Sequence, residues 1–194
     1  MVLAVVKLAA PLLVAGAIAL RTLTGFAGTD TIGLTNVSGA AGDCVTATTN
    51  ARCATLFQGR EVMWPGKAPM KANVTITYHG SGTHGFGVYL SSFASKSARS
   101  SSLCQAADPA DKMNLKIEQG GNTVYEGTLS AFAALYHDST AMLHLAGGHN
   151  GAGTVDRWAG NDSSDFTLSV GLDLSADNPY MGCVSTADIA WLAE

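Results

Sequence analysis

Histidines have the widest chemical range of the residues in this chain, because a neutral imidazole can bind a transition metal and move a proton near neutral pH. The sequence has five histidines, and His137, His144 and His149 form the densest group. Their spacings fit neither one face of a helix nor a zinc-finger pair, and the chain has no HExxH motif. We therefore expect surface histidines, with no catalytic metal and no cofactor.

Oxygen ligands occur together in the glycine-rich stretch 147–164. Asp156, Asn161, Asp162 and Asp165 carry the hard oxygens that Ca²⁺ binds, but their spacing is not that of an EF-hand loop. We therefore predict that these are solvated loop residues and do not form a Ca²⁺ site. A Ser-His-Asp arrangement stays open because it is defined by geometry, although the G-x-S-x-G elbow is absent from the sequence.

The chain has four cysteines, which in an exported protein predict two disulfides. Three pairings are possible. Cys44 and Cys53 are close in sequence, so a local loop is the simplest assignment, and Cys104 would then pair with Cys183. The alternative is four reduced thiols in a cytosolic protein, against which the apolar N-terminus argues.

The N-terminal segment is the most apolar part of the chain. Its uninterrupted apolar run, residues 8–20, fits the core of a signal peptide better than the roughly 20 residues that a transmembrane helix needs. Residues 1–27 are therefore predicted to be a signal peptide, with an uncleaved membrane anchor as the alternative. We expect the protein to be secreted, in the extracellular matrix or on the cell surface.

The next segment, residues 28–53, is a low-charge arm rich in Gly, Thr, Ala and Asn. Its thin apolar alternation consists of Ile32, Leu34 and Val37. Such a segment can gain order by adding a strand to an open sheet edge, where backbone bonds give affinity. The arm is the candidate donor strand, and a disordered linker is the alternative.

Residues 54–194 are predicted to form one domain. Alternating apolar and polar residues, the pattern of half-buried strands, occupy 70–78, 86–90, 113–118, 166–174 and 183–191. We expect the first two runs to pair or to lie side by side. The last two are expected to form a long hairpin.

Two further local features complete the fold prediction. Gly120-Gly121-Asn122 predicts a hairpin turn, and apolar residues at helical spacing predict one helix over 127–136. Many short strands with one helix in a connection predict an all-β fold, an antiparallel β-sandwich of jelly-roll type. Trp191 is expected in the core, and Trp158 is a candidate exposed contact residue.

The charge pattern argues against nucleic acid as a partner. The net charge is −4, charged residues are 13% of the chain, and no basic cluster exceeds isolated pairs such as Lys96 and Arg99. Binding to phosphates needs a basic stripe that displaces counterions.

Four short stretches together resemble the TasA/camelysin family of secreted bacterial proteins, which includes a biofilm-matrix fibre protein and a surface-associated protease. They are spread over most of the chain: 24–30, the Trp64-Pro65-Gly66 turn with 73–76, 123–129, and 177–182 with 188–191. The resemblance implies a jelly-roll sandwich that can polymerise when the N-terminal segment of one subunit completes the sheet of the next. The camelysin name also implies a metallopeptidase.

The expected function is therefore structural. We expect an extracellular subunit of a fibre or surface layer that associates with itself into a homopolymer through its arm. Cell-surface or matrix contacts are possible, but no small-molecule substrate is expected. The alternatives are a secreted metallopeptidase and a monomeric surface adhesin or binding module, the latter favoured by an exposed aromatic patch around Trp158.

Overall fold

The computed structural model describes residues 4–6, 33–38, 44–46, 50–53, 62–80, 82–94, 108–180 and 183–194. The strands are, in chain order, β1 (Ala4–Val6), β2 (Gly33–Ser38), β3 (Cys44–Thr46), β4 (Asn50–Cys53), β5 (Val62–Met63), β6 (Met70–His79), β7 (Thr83–His84), β8 (Phe86–Ala94), β9 (Met113–Gln119), β10 (Asn122–Thr128), β11 (Leu143–His144), β12 (Trp158–Ala159), β13 (Ser163–Leu172) and β14 (Val184–Ala193). One α-helix, α1 (Leu129–Leu135), joins β10 to β11. Short 3-10 turns occupy Pro109–Lys112, His149–Gly151 and Asn178–Tyr180.

Five strands form sheet II, in the order β10-β9-β13-β6-β2, and every neighbouring pair is antiparallel. The predicted alternation in β6 is confirmed: Val74, Ile76 and Tyr78 are buried, whereas the intervening residues are partly or fully exposed. Strand β13 is central, with β6 and β9 on its two sides. Its outer face therefore has polar neighbours on both flanks.

Seven strands form sheet I, whose longest pairing joins β14 to β8. Strand β11 extends the sheet beyond β8. The other edge of β14 is shared: β1 runs parallel to its first part and β4 runs antiparallel to its last part. Strand β5 then pairs with β1, and strand β3 pairs with β4. A small ribbon of β7 and β12 lies apart from both sheets.

The inward faces of the two sheets contribute to one hydrophobic cluster. Phe166 of sheet II and Trp191 of sheet I approach to 6.0 Å between ring centroids, and both side chains are fully buried. The all-β, mainly antiparallel class is thus confirmed. Within the described residues no helix is long and apolar enough to cross a membrane.

The predicted closing hairpin is wrong, although both of its strands exist. Strand β13 belongs to sheet II and β14 to sheet I, so they face one another across the core. The reason is the connection, residues 173–183, which is much longer than the two to five residues of a hairpin loop. The expected pairing of 70–78 with 86–90 is wrong in the same way, because β6 lies in sheet II and β8 in sheet I.

The other local predictions are confirmed. Strands β9 and β10 form a hairpin, and both turn glycines have positive φ, 55° at Gly120 and 85° at Gly121. Helix α1 begins after Thr128, whose hydroxyl accepts a hydrogen bond from the Ala131 N–H at 3.2 Å. Such a cap satisfies one of the unpaired N–H groups in the first turn.

Candidate functional site

The strands of the predicted arm lie on two sheet edges. Strand β2 pairs with β6 from Gly33 opposite His79 to Ser38 opposite Val74. Strand β4 pairs with β14 from Cys53 opposite Ile189 to Asn50 opposite Leu192. An uncovered strand edge leaves a row of N–H and C=O groups without partners, and each arm strand supplies those partners.

The predicted leader also contributes to the edge of β14. Val5 lies opposite Val184 and Val6 opposite Ser185 in the parallel β1–β14 pair. Strand β1 and strand β4 therefore occupy successive parts of the same edge. The remainder of segment 1–27 lies outside the described residues, and the predicted division of the chain at residues 27 and 53 stays a prediction.

Two of the three predicted donor-strand residues lie in β2. Leu34 is opposite Tyr78 and Val37 is opposite Thr75 in the β2–β6 register. Ile32 lies outside the described residues. In this chain the pairing is made with its own sheet, so donation to another copy stays a prediction.

The structure describes three of the four cysteines, Cys44, Cys53 and Cys183. Cys44 lies directly opposite Cys53 in the β3–β4 pair, and such cross-strand neighbours have the Cα separation that a disulfide needs. Cys183 is buried and disulfide-bonded. Cys104 lies outside the described residues, so both predicted pairings stay predictions.

The three clustered histidines have separate surroundings. His137 Nε2 is 3.6 Å from Asp138 Oδ2, His144 Nδ1 is 2.7 Å from Asp156 Oδ1, and His149 neighbours Asn150. Where side chains are described, no three His, Cys, Asp or Glu residues are grouped so that they could hold a metal ion. The contact with Asp156 orients the His144 ring, and this pair supplies two of the three members of a Ser-His-Asp arrangement.

The loop acids Asp156, Asp162 and Asp165 are exposed or half-buried, and each also has a hydrogen-bond partner. Asp162 Oδ2 accepts the backbone N–H groups of Gly148 and Ala159, each at 2.8 Å. Asp165 Oδ1 accepts the Thr75 hydroxyl at 2.6 Å. Asn161 has a positive φ of 71°, which Asn tolerates better than most residues. Asp162 therefore ties the two ends of the glycine-rich loop together.

The tryptophan predictions are half right. Trp191 is in the core, as predicted, with 0% of its surface exposed. Trp158, predicted as a candidate exposed contact residue, is equally buried: it stacks on Phe86 at 4.1 Å between ring centroids and donates to the Leu145 carbonyl at 3.3 Å. The two-residue β12, which has no alternation long enough to detect, carries Trp158 inward.

The outer face of sheet II has a groove that the sequence pattern does not reveal. Its volume is about 460 Å³. The charged residues that line it are Lys67, Lys71, Lys116, Glu118 and Glu126. Lys67 precedes β6, and the other four lie in β6, β9 and β10, so strand pairing brings distant parts of the chain together. The groove therefore cannot be predicted from runs of charged residues in the sequence.

The charges on the β9 side of the groove are mutually stabilised. Lys116 Nζ lies 2.6 Å from Glu118 Oε1. This hydrogen bond is the main reason that the pKa of Lys116 is raised above 10.5, and the charge of Glu126 adds to the effect. Lys116 therefore stays charged and is already balanced by its neighbours.

Comparison of the sequence with protein-family models gives no match, and neither does comparison with curated proteins. The resemblance to the TasA/camelysin family therefore stays a prediction based on the four short stretches.

Proposed function

We propose that this protein is a secreted structural subunit of an extracellular fibre or surface layer, of the biofilm-matrix type. Each subunit donates its N-terminal arm to the sheet of the next and so forms a homopolymer. The observation that carries the proposal is the six-residue antiparallel register of β2 on the edge of β6. This pairing supports the proposal that the arm can add a strand to sheet II, in its own chain or in another copy of the chain.

Exchange between copies would use the same backbone bonds. When β2 leaves the β6 edge of its own chain and occupies that edge in a neighbour, every hydrogen bond lost is replaced by an identical one. Such exchange of an identical element is a low-cost route to assembly. Head-to-tail repetition, with each arm passed forward, gives an open chain and not a closed dimer.

Processing would control a second edge. Cleavage after residue 27 would remove β1, which covers β14 at Val184 and Ser185 and also pairs with β5. The uncovered edge would then be available to a neighbouring chain.

We further infer that the sandwich is of jelly-roll type. The chain crosses from one sheet to the other at its long connections. In chain order, sheet II contains β6, then β9 and β10, then β13, and sheet I contains β8, β11 and β14, which alternate with them. Repeated crossing between two mainly antiparallel sheets is the connectivity that jelly rolls share.

Isotope-mixed photo-crosslinking tests arm donation. A photoreactive amino acid replaces Val37, opposite Thr75 in the register. ¹⁵N-labelled and unlabelled proteins are mixed, allowed to assemble, irradiated and digested. We expect crosslinked peptide pairs from the arm and β6 in which one half is heavy and the other light, together with fibres in electron micrographs.

The same photoreactive group at Asn122, exposed at the β9–β10 turn, provides the control, because this turn takes no part in the proposed pairing. Arm–β6 pairs that are always of a single isotope, in samples that do contain fibres, would contradict donation. Monomers in every micrograph and sedimentation run would contradict the fibre role. Casein hydrolysis that disappears in His144→Ala would favour the metallopeptidase alternative.

A further inference from the structure

Sheet II has two outer strands, β2 at one end of the strand order and β10 at the other. Strand β2 belongs to the arm, whereas β10 belongs to the β9–β10 hairpin. In the part of the chain that the structure describes, β10 pairs with β9 alone. The other side of β10 is therefore an open row of N–H and C=O groups, the feature to which a strand of another molecule can add.

A β-bulge interrupts this open edge. Thr123 lies opposite Glu118 and Tyr125 lies opposite Ile117, so Val124 is one extra residue without a partner in β9. A bulge bends its strand and increases the local twist, so the outward groups on its two sides no longer form one straight row. The regular part of β10 after the bulge has four residues, whereas β2 follows β6 without a shift over six.

The irregularity is confined to this edge of sheet II. The pairs β2–β6, β6–β13 and β9–β13 each continue without a register shift over their described residues. Because β10 has a single neighbour in the sheet, its bulge interrupts one ladder of hydrogen bonds, whereas a bulge in β9 or β13 would interrupt two. The bulge therefore lies where it disturbs the outer edge most and the sheet least.

Tyr125 holds the bulge in a fixed arrangement. Its hydroxyl donates to the Thr128 carbonyl at 3.0 Å, and its ring packs against Phe132 and Tyr136, at 4.7 and 6.1 Å between ring centroids. A Cβ at Gly127 would come within 2.7 Å of the Tyr125 hydroxyl oxygen, so the glycine makes room for this side chain. The bulge is thus part of the packed structure at the start of α1.

Glu126 adds a charge to the same edge strand. It is exposed on β10, opposite Lys116 of β9. A strand added on the outer side of β10 would remove part of the hydration of this carboxylate, and a second β10 would bring another carboxylate to the same strand pair. By contrast, β2 has no charged residue from Gly33 to Ser38.

We propose that the β10 edge is closed to strand addition by a second copy of this chain, through the combined action of the Val124 bulge and the Glu126 charge. Sheet II then accepts a strand of another copy at its β6 edge alone. The consequence for a fibre rests on the proposed arm donation: each subunit has one acceptor edge in sheet II, so the fibre lengthens without branching through this sheet. The closure of β10 itself does not depend on donation.

Removal of the bulge and the charge tests the proposal. Because the flanking pairs are already in register, deletion of Val124 leaves a regular β9–β10 ladder without moving them. A photoreactive amino acid replaces Thr123, which is exposed on β10, and ¹⁵N-labelled and unlabelled copies are mixed, irradiated and digested. We expect heavy–light crosslinked peptides that contain β10 to be at background in the otherwise unmodified chain. They should be abundant when deletion of Val124 is combined with Glu126→Thr.

Two single substitutions separate the charge from the bulge. Glu126→Thr alone keeps the bulge and should raise the heavy–light β10 pairs by up to about fivefold, because one unfavourable cross-strand charge is removed. Glu118→Thr is the matched control, since it removes a carboxylate from the same face of sheet II, one strand in from the edge. It should stay at background.

Abundant heavy–light β10 pairs in the otherwise unmodified chain would overturn the proposal. Background levels in a combined variant whose circular dichroism shows a folded protein would do the same. Equal levels in Glu126→Thr and Glu118→Thr would also overturn it, even where the deletion variant does not fold. Heavy–light pairs between the arm and β6 are counted separately, so a failure of arm donation is distinguished from a failure of the β10 proposal.

Discussion

Single polar side chains hold the glycine-rich loop against the rest of the fold. Asp162 accepts two backbone N–H groups from opposite ends of the glycine-rich loop, Gly148 and Ala159. Gln119, which is buried, donates to the Ala146 carbonyl at 2.7 Å and to the Ser164 hydroxyl at 3.0 Å. A loop with many glycines loses much conformational entropy when it is ordered, and these bonds offset part of that loss.

Asp173 predicts a specific pH dependence of stability. The hydroxyl and the N–H of Ser175 both donate to its carboxylate, and Asn114 adds a third bond, so its pKa is lowered from 3.8 to about 2. Between pH 3.8 and about pH 2 this carboxyl is therefore more protonated in the unfolded chain than in the folded one. The stabilisation is complete above the ordinary pKa and is lost as the pH falls toward about 2.

Urea unfolding at about pH 5 and about pH 2.5 measures this effect. We expect Asp173→Asn to lose less stability between the two pH values than the unmodified protein does. Asp177→Asn, an exposed carboxyl in the same connection, serves as the control and should follow the unmodified protein. Identical pH profiles for Asp173→Asn and the unmodified protein would show that Asp173 is not the source of this pH dependence.

At the scale of elements, the connections decide which strands pair. The β9–β10 turn is short and has two glycines at positive φ, so its strands return along one another. The connection after β13 is long and contains the Asn178–Tyr180 3-10 turn, so β14 joins the other sheet. Strand patterning alone therefore identifies strands but not their neighbours.

The β9–β10 turn yields a paired prediction. Gly121→Ala should cost about 1–2 kcal/mol because an alanine is strained at positive φ. Gly120→Ala should cost more, since its added Cβ would also collide with the Asn150 carbonyl oxygen and side chain, whereas nothing lies within 4 Å of the Cβ position at Gly121. Denaturant unfolding of both variants measures the difference, and equal costs would contradict the packing of Asn150 against this turn.

At the scale of the whole molecule, the two sheets depend on each other through aromatic side chains. A double-mutant cycle with Phe166→Leu and Trp191→Phe should give a coupling energy of about 0.5–1.5 kcal/mol, because their rings are in contact across the core. The measurement is the unfolding free energy of the single and double variants.

Phe132 provides the control for this cycle, since its ring packs with Tyr125 and Tyr136 beside the helix. Phe132→Leu combined with Trp191→Phe should be additive within about 0.5 kcal/mol. Additive losses for the Phe166–Trp191 pair would show that the two sheets are not coupled there.

The sequence alone is sufficient to predict the long strands β6, β8, β9, β13 and β14, the β9–β10 hairpin, helix α1 and the buried position of Trp191. These features depend on side-chain period and on turn chemistry, which act over a few residues. The all-β class followed from their sum.

Tertiary packing alone separates β13 from β14, buries Trp158 and forms the groove on sheet II. Each depends on residues that are distant in the chain and become neighbours through strand pairing or sheet packing. Lys71 and Lys116 are far apart in the sequence, and nothing in the sequence predicts that Ser169 lies between them in the sheet. Local pattern fixes which face of a strand is buried, whereas the choice of partner strand is set by the packing of the entire core.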